Sequence, residues 1–93
     1  MLEIKYLTDA KKDLEKIDKI WQRKIKNNLQ ILAENQALLK NKIIKLKGKY
    51  KDYFRLRVGN YRVIFRVEKK KLVVLVVIIA HRKEITPNFI NPT

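Results

Sequence analysis

The first forty residues contain two hydrophobic periods. Apolar side chains recur at every second position at Leu2, Ile4 and Tyr6, which predicts a short strand. From residue 9 to about residue 39 the period becomes helical, with apolar side chains at positions 14, 17, 21, 25, 29 and 32. Because this span is long for one globular helix, we expect a bend near Asp18-Lys19 and therefore a hairpin of two helices.

Strand patterns replace the helical period after residue 50. The segments 50–58 and 61–68 are joined by Gly59-Asn60, a pair typical of a tight hairpin turn. After a further turn at 69–71, the segment 72–80 is apolar at every position, so we expect a central strand covered on both faces. The lysine-rich residues 42–51 around Gly48 are interpreted as a basic loop entering a strand.

In chain order the predicted elements are β-α-α-β-β-β. This order predicts an α+β fold, with two N-terminal helices packed on a mostly antiparallel four-stranded sheet. The 93 residues suffice for one domain with one modest core. Residues 1–93 are therefore interpreted as a single domain, in which residues 86–93 form a loosely ordered tail because they contain two prolines and no periodicity.

The charge of the chain changes this picture most. It carries 23 Lys and Arg against 9 Asp and Glu, a net charge of +14, which attracts nucleic acid, acidic protein segments or anionic surfaces. There is no cysteine, so disulfides and thiolate metal sites are excluded, as expected in a reducing compartment. The longest apolar run, 72–80, is far short of the roughly 20 residues of a spanning helix. We expect a soluble, cytoplasmic protein.

Most common catalytic constellations are missing from the sequence. A single histidine, His81, and scattered carboxylates make a zinc or magnesium site improbable, so we expect no metal and no cofactor. The lack of cysteine and the few hydroxyl residues argue against a nucleophile–histidine–acid triad. The arginines, lysines and tyrosines that remain fit metal-free cleavage of RNA. In that reaction the 2′-OH attacks, while the protein holds the phosphate and moves protons.

Strand alternation places arginines of the predicted hairpin on one face. Arg55 and Arg57 share one side of their strand, and Arg62 is expected on the same open face because its apolar neighbours belong beneath the helices. Arg82 follows the last strand, opposite His81 by parity, and its position is compatible with a meeting with Arg62. The alternative is that these arginines are only solvated surface groups.

Two segments, KLKGKYKDYFRLRVGNYRVIFRV and LVVLVVIIAHRKE, resemble the RelE/ParE toxin superfamily of bacterial and archaeal type II toxin–antitoxin systems. The family pattern is L-x-G, then Y-R-x-R-x-G-x-Y-R-V-x-Y-x-V, and finally H-R after the last strand. The matching positions are 46, 48, 53, 55, 57, 59, 61, 62, 63, 65, 67, 81 and 82. The resemblance covers the architecture of the whole chain and the motifs of residues 46–84.

The resemblance implies a site and a reaction. In the RelE branch the toxin enters the ribosomal A site and cleaves mRNA without metal, and the two phosphate-binding arginines of the family fall on Arg62 and Arg82. The basic pair of the second strand falls on Tyr53 and Arg55, so tyrosine replaces one lysine, and Thr86 replaces the usual C-terminal tyrosine. Proton transfer then needs a substitute, for which the candidates are His81, Glu84, Lys47 and Lys49, and the imidazole is the most suitable of these.

The site prediction accordingly has two parts. The predicted catalytic residues are Arg62, Arg82, Arg55 and His81. The predicted RNA- or phosphate-binding residues are Arg57, Lys45, Lys47, Lys49, Lys51 and Tyr53.

Three functions fit the sequence, and the first is favoured. The favoured function is a RelE-like, ribosome-dependent mRNA endoribonuclease that inhibits translation. The second is a ParE-like inhibitor of DNA gyrase without nuclease activity, and the third is a basic RNA-binding module without chemistry. The implied partners are a cognate acidic antitoxin with the ribosome and mRNA, or DNA gyrase under the second function. No membrane partner is expected.

Overall fold

The structure is a computed structural model that describes residues 1–84. The predicted tail, residues 86–93, lies outside the described residues. The elements in chain order are β1 Glu3–Tyr6, α1 Thr8–Glu15, α2 Lys19–Asn35, β2 Ile43–Lys45, β3 Phe54–Val58, β4 Tyr61–Glu68 and β5 Val73–His81. Two short 3-10 helices precede and follow β2, at Gln36–Lys42 and Gly48–Tyr50.

The five strands form one mixed sheet in the order β1-β5-β4-β3-β2. β1 pairs parallel to β5, and the other neighbours are antiparallel. The predicted α+β class with two helices is confirmed, whereas the predicted four-stranded sheet is wrong. The additional strand is β2, which lies in the segment interpreted as a basic loop and pairs Ile43 with Leu56 of β3. Three residues are too few to show alternation, so only this pairing reveals the strand.

The apolar segment 72–80 was expected to be the central strand, but the middle position belongs to β4. β5 is nevertheless an interior strand, because β1 adds to its other side through a register that pairs Ile4 with Val74. Both edges of β5 are thereby hydrogen-bonded, but the helices cover only one of its faces, so the expected cover on both faces is wrong. Leu75 and Ile78 on the other face are only partly buried. The additional strand β2 at the opposite edge places the centre of the sheet at β4.

The two helices meet at a junction that contains neither glycine nor proline. α1 ends at Glu15 and α2 begins at Lys19, as the predicted bend near Asp18-Lys19 requires. The amide of Lys16 donates to the carbonyl of Asp13 at 3.2 Å, and the Gln22 side chain donates to the carbonyl of Ile17 at 2.6 Å. α2 ends at Asn35, earlier than the predicted residue 39, because the chain tightens into a 3-10 helix.

The main hydrophobic core lies between the helices and one face of the sheet. It is built from buried helical residues and the alternate residues of three strands: Ala10, Leu14, Ile25, Leu29, Leu32, Leu39, Leu56, Val58, Val63, Phe65, Val74, Val76 and Ile79. Within residues 1–84 no polar or charged residue is buried, so apolar burial stabilises this side of the molecule. In the same part of the chain, no helix is long and apolar enough to cross a bilayer.

A β-bulge in β5 decides which side chains near its end face the helices. Ile64 pairs with Ile78, but the next residue of β4, Phe65, pairs with Val76, so Val77 is an extra residue in β5. The parity of β5 therefore changes, and Ile79 joins the core beneath the helices. His81, two residues further, falls on the helix side as well.

The turn between β3 and β4 fits closely beneath α2. Val58 pairs with Tyr61, which leaves the two-residue loop Gly59-Asn60. Gly59 has φ +57°, and a Cβ atom there would lie 2.3 Å from ring carbons of Trp21. Glycine is therefore required for both the backbone angle and the contact.

Candidate functional site

Three arginines converge on the helix-free face of the sheet, which we call the open face. In the register of β3 and β4, Arg57 lies directly opposite Arg62, and Arg55 is one alternation away on the same face. Together with the edge of the sheet they enclose a cavity of about 150 Å³, here called the arginine cavity. Its lining residues are Asn41, Lys42, Ile44, Arg55, Arg57 and Arg62.

The arginine cavity carries positive charge without a balancing carboxylate among the residues that line it. The pKa of Arg62 is lowered from its ordinary value, first because burial removes water from the guanidinium. The like charges of Arg55, Arg57 and Arg82 lower that pKa further. A bound anion would offset this repulsion, so the electrostatics favour a phosphate-like ligand.

Arg62 is held in place by the hairpin turn. Its Nη1 donates to the carbonyl of Gly59 at 3.0 Å and to the carbonyl of Tyr61 at 2.9 Å. These two hydrogen bonds fix the plane of the guanidinium group at the end of the sheet. The other N–H groups of the guanidinium can donate to a ligand. The sequence pattern placed Arg62 on the open face but gave no indication of this anchor.

Arg82 lies beside the same turn. Its backbone amide donates to the carbonyl of Asn60 at 2.7 Å, and the amide of Glu84 donates to the carbonyl of His81 at 2.8 Å. This tight turn after β5 positions Arg82 near enough to Arg62 for the two charges to interact. The side chain of Arg82 is exposed, so it can approach a ligand at the mouth of the cavity.

His81 lies on the opposite side of the sheet from the arginines. Its ring packs edge-on against Tyr61, with centroids 5.5 Å apart, and Tyr61 packs in turn against Trp21. The Nδ1 atom accepts a hydrogen bond from the amide of Lys83 at 3.2 Å. His81 also lines a separate cavity against α1. The structure therefore does not bring His81 together with the arginine cavity.

The predicted lysines lie away from the arginine cavity. All four are exposed, namely Lys45, Lys47, Lys49 and Lys51. Lys45 and Lys51 line a groove with Arg66, and none of the four lines the arginine cavity. The lysine that does is Lys42, which the site prediction omitted because it did not recognise β2. The signal was the apolar pair Ile43-Ile44, which is too short to identify alone.

Tyr53 belongs to a small aromatic cluster next to the arginines. Its ring lies 6.2 Å from that of Tyr50 in an edge-to-face arrangement. Both rings pack on a second, small core formed by Leu46 and Ile64. The guanidinium of Arg66 lies 5.9 Å from the Tyr53 ring centroid. Tyr53 therefore faces the same side as the arginines, two alternations from Arg57.

The described residues contain no cluster of metal ligands. Across residues 1–84 no three side chains of His, Cys, Asp or Glu converge closely enough to hold an ion. The polar side chains that line the arginine cavity offer guanidinium, ammonium and amide groups.

Comparison with protein families identifies the chain. Residues 4–86 match the family described as the ParE toxin of the type II toxin–antitoxin system, parDE. The chain belongs to the ParE toxin family. This match begins within β1, covers all the other strands and helices described above, and confirms the resemblance to RelE/ParE toxins.

Known proteins similar to this ParE-family chain include RelE toxins. A curated Escherichia coli protein described as RelE-like toxin is 27% identical over 81 residues, which are 87% of this chain and 83% of that protein. The archaeal RelE–RelB complex from Pyrococcus horikoshii superposes with a TM-score of 0.73 at 28% identity, covering 90% of this chain and 98% of the other. The RelB–RelE complex from Methanococcus jannaschii gives 0.68 at 27% identity, covering 90% and 93%.

Proposed function

We propose that this ParE-family chain is a ribosome-dependent mRNA endoribonuclease of the RelE type, which inhibits translation by metal-independent cleavage. The observation that supports this proposal is the arginine cavity. Three guanidinium groups and the Lys42 ammonium line it without a carboxylate, and Arg82 lies close by. Such a site suits the doubly charged phosphorane of RNA cleavage, because positive groups already in position stabilise charge that develops in the transition state.

In this proposal the arginines hold the reacting phosphate. Arg62, fixed by the turn, and Arg82, positioned by Asn60, approach it from the end of the sheet, while Arg55 and Arg57 approach from β3. The 2′-hydroxyl gives its proton to solvent water as its oxygen attacks phosphorus. The bond to the 5′-oxygen breaks and that oxygen takes up a proton, which gives a 2′,3′-cyclic phosphate and a 5′-hydroxyl. Arginine suits this task because its planar fork bonds two oxygens and retains its charge.

Proton transfer is assigned to a different residue from the one expected from the sequence. His81 faces the other side of the sheet, and Lys47 and Lys49 do not line the arginine cavity. The arginines keep their protons, which leaves the Lys42 ammonium as the lining group that can donate to the leaving 5′-oxygen. A Lys42→Met variant should therefore lose far more of the cleavage rate than of the phosphate affinity, because the three arginines of the cavity remain.

A cognate acidic antitoxin is the proposed protein partner. The net charge of +14 favours a partner of opposite sign, and the similar archaeal toxins were solved in complexes with RelB. An acidic segment that folds on the open face would cover the arginines. Binding to the protein encoded by the neighbouring reading frame should weaken markedly as salt rises. Affinity that is indifferent to salt would contradict the electrostatic part of this proposal.

A ParE-like inhibition of DNA gyrase is the second candidate. Two observations favour it: the matching family is described by the ParE toxin, and the arginine cavity contains neither a histidine nor a carboxylate as a general base. In this alternative the chain binds gyrase and cuts no RNA.

One experiment separates the candidates. Ribosomes programmed with a defined mRNA are incubated with the purified chain and new mRNA 5′ ends are mapped, while a parallel reaction measures DNA supercoiling by gyrase. The RelE-type proposal expects cleavage at the ribosomal A site and unchanged supercoiling. Blocked supercoiling without cleavage supports the gyrase candidate, and RNA binding with neither effect indicates a binding module.

A further inference from the structure

The open face carries an aromatic surface next to the arginine cavity. Along β3 and the residue that precedes it, Tyr53, Arg55 and Arg57 share one face by alternation. Successive members of this row are spaced by roughly 6.6 Å, twice the rise per residue of a strand. Arg66 on β4 lies beside Tyr53, and Arg62 lies beside Arg57. The face thus presents a ring at one end and paired guanidinium groups at the other.

The aromatic end is held firmly by what lies beneath it. Tyr50 and Tyr53 rest on Leu46 and Ile64, whose exposed fractions are only 2% and 3%. Both tyrosines remain partly exposed, and a cation lies near each ring, because Lys49 is 5.4 Å from the Tyr50 centroid. Partly exposed rings beside cations provide the combination on which bases of single-stranded nucleic acid stack.

We propose that Tyr53 is a stacking subsite for one unpaired nucleobase of RNA, positioned so that the adjoining phosphate enters the arginine cavity. The subsite deepens the proposed function, on which the choice of RNA as ligand rests. It also assigns a role to the tyrosine that occupies the place of a family lysine. A ring at this position selects a nucleotide with a flat, unpaired base. The hydroxyl group of Tyr53 is not needed for this stacking contact.

The alternative is that Tyr53 only covers Leu46 and Ile64. A purely structural role predicts that the ring affects the stability of the fold but does not distinguish ligands with a base from ligands without one. The measurement must therefore compare two ligands on the same variant.

The experiment measures binding of two fluorescein-labelled probes to the free chain: a short single-stranded oligoribonucleotide, and a ribose-phosphate oligomer of equal length without bases. The wild type should bind the oligoribonucleotide about 5- to 150-fold more tightly, the range expected for one stacked base. Tyr53→Phe should keep this ratio, Tyr53→Trp should keep or increase it, and Tyr53→Leu should reduce it nearly to one. Affinity for the probe without bases should be similar in all four proteins.

Tyr6→Leu is the matched control, because Tyr6 lies on the edge strand β1 and packs against the main core. It should keep the wild-type ratio of affinities. Equal affinity of the wild type for both probes overturns the proposal. So does loss of the ratio in Tyr53→Trp or Tyr53→Phe, two folded variants that retain a ring. Neither result depends on cleavage. If the chain cuts no mRNA but prefers the probe with bases, the stacking subsite is supported and the proposed nuclease function is not. If the chain cuts mRNA but binds both probes equally, the stacking subsite is wrong and the nuclease function stands.

Discussion

The two faces of the sheet differ in what stabilises them. Within residues 1–84, the helix side buries thirteen apolar residues in one cluster, whereas the small cluster on the open face has two buried residues, Leu46 and Ile64. On the open face, Arg57 lies directly opposite Arg62, an arrangement of like charges that costs stability. The two faces therefore have different roles. Apolar burial on the helix side stabilises the fold, so the open face can hold charges that repel one another.

This difference between the two faces also explains the position of the proposed site. Side chains alternate along β3, so Leu56 of the main core lies between two residues that belong to the open face. Leu56 is fully buried, while Arg55 and Arg57 beside it reach the arginine cavity. The packing that fixes Leu56 thereby also fixes the backbone from which the two arginines project.

The largest expected effect comes from Arg82→Ala, which removes charge from the open face. If the arginines stabilise the phosphorane, single-turnover cleavage of ribosome-bound mRNA should fall by about 10²–10³-fold, the scale for one preorganised donor. Ribosome affinity should fall much less, because the many other lysines and arginines still attract the negatively charged ribosome. Rapid-quench kinetics at saturating ribosomes measures the first quantity, and ribosome pelleting measures the second.

A control for this variant changes charge at the far end of the sheet. The turn between β4 and β5 contains Lys69 and Lys71, and replacing both by alanine should weaken ribosome binding while leaving the rate at saturation nearly unchanged. If Arg82→Ala instead loses only affinity and cleaves normally at saturation, Arg82 serves binding alone.

The next largest effect compares the two hydrophobic clusters directly. Leu56→Ala in the main core should lower the free energy of unfolding by about 3–5 kcal/mol, because the surrounding helices and strands cannot close the cavity. Leu46→Ala in the small open-face cluster should cost about 2–3 kcal/mol, because fewer neighbours are lost. Urea unfolding of both variants measures the difference, and an equal or larger cost at Leu46 would contradict the comparison of the faces.

A third effect concerns the turn that joins the two faces. Gly59→Ala should destabilise the chain by about 2–3 kcal/mol, because alanine disfavours the positive φ and its methyl group would overlap the Trp21 ring. The double variant Gly59→Ala/Trp21→Ala should show a favourable coupling between the two sites, since the overlap is then absent. Additive costs in this thermodynamic cycle would mean that the ring moves aside without penalty.

A smaller effect is expected at the other turn, where Leu72 has φ +55° and is 59% exposed. Leucine is strained in this region and asparagine tolerates it, so Leu72→Asn should raise stability by about 0.5–1 kcal/mol. The melting temperature should then rise by roughly 2–8 °C. Leu38→Asn is the control, because Leu38 is 72% exposed and its φ is not positive. A rise of similar size in the control would show that lost surface hydrophobicity, rather than backbone strain, is responsible.

Periodicity was sufficient to predict what local sequence determines. The helical stripe gave both helices and the bend at Asp18-Lys19, and alternation gave the open face for Arg55, Arg57 and Arg62. It was insufficient for features set by distant contacts. The strand β2 forms because Ile43 pairs with Leu56. Because the prediction lacked this strand, it also did not place Lys42 beside the arginines. The additional strand and the bulge at Val77 depend on pairing between segments far apart in the chain.

The smallest expected effect tests the cost of the crowded arginines. The pKa of Arg62 is lowered in the folded chain by burial and by Arg55, Arg57 and Arg82, so folding disfavours its charged form. The resulting loss of stability is present at every pH below the range in which guanidinium titrates. Removing the charge directly opposite, with Arg57→Gln, should therefore raise stability by about 0.5 kcal/mol and the melting temperature by roughly 2–4 °C.

The measurement for Arg57→Gln is calorimetric melting in phosphate-free buffer of low ionic strength, repeated with inorganic phosphate. Phosphate should stabilise the wild type more than the variant, because the anion offsets the repulsion that the substitution has already reduced. Arg23→Gln on the exposed surface of α2 is the matched control, since it removes the same charge away from the cavity. An equal rise in both variants would attribute the effect to net charge. A larger rise for Arg57→Gln, with a smaller response to phosphate, would attribute it to the arginine cavity, where the charge that lowers stability is the charge that binds the anion.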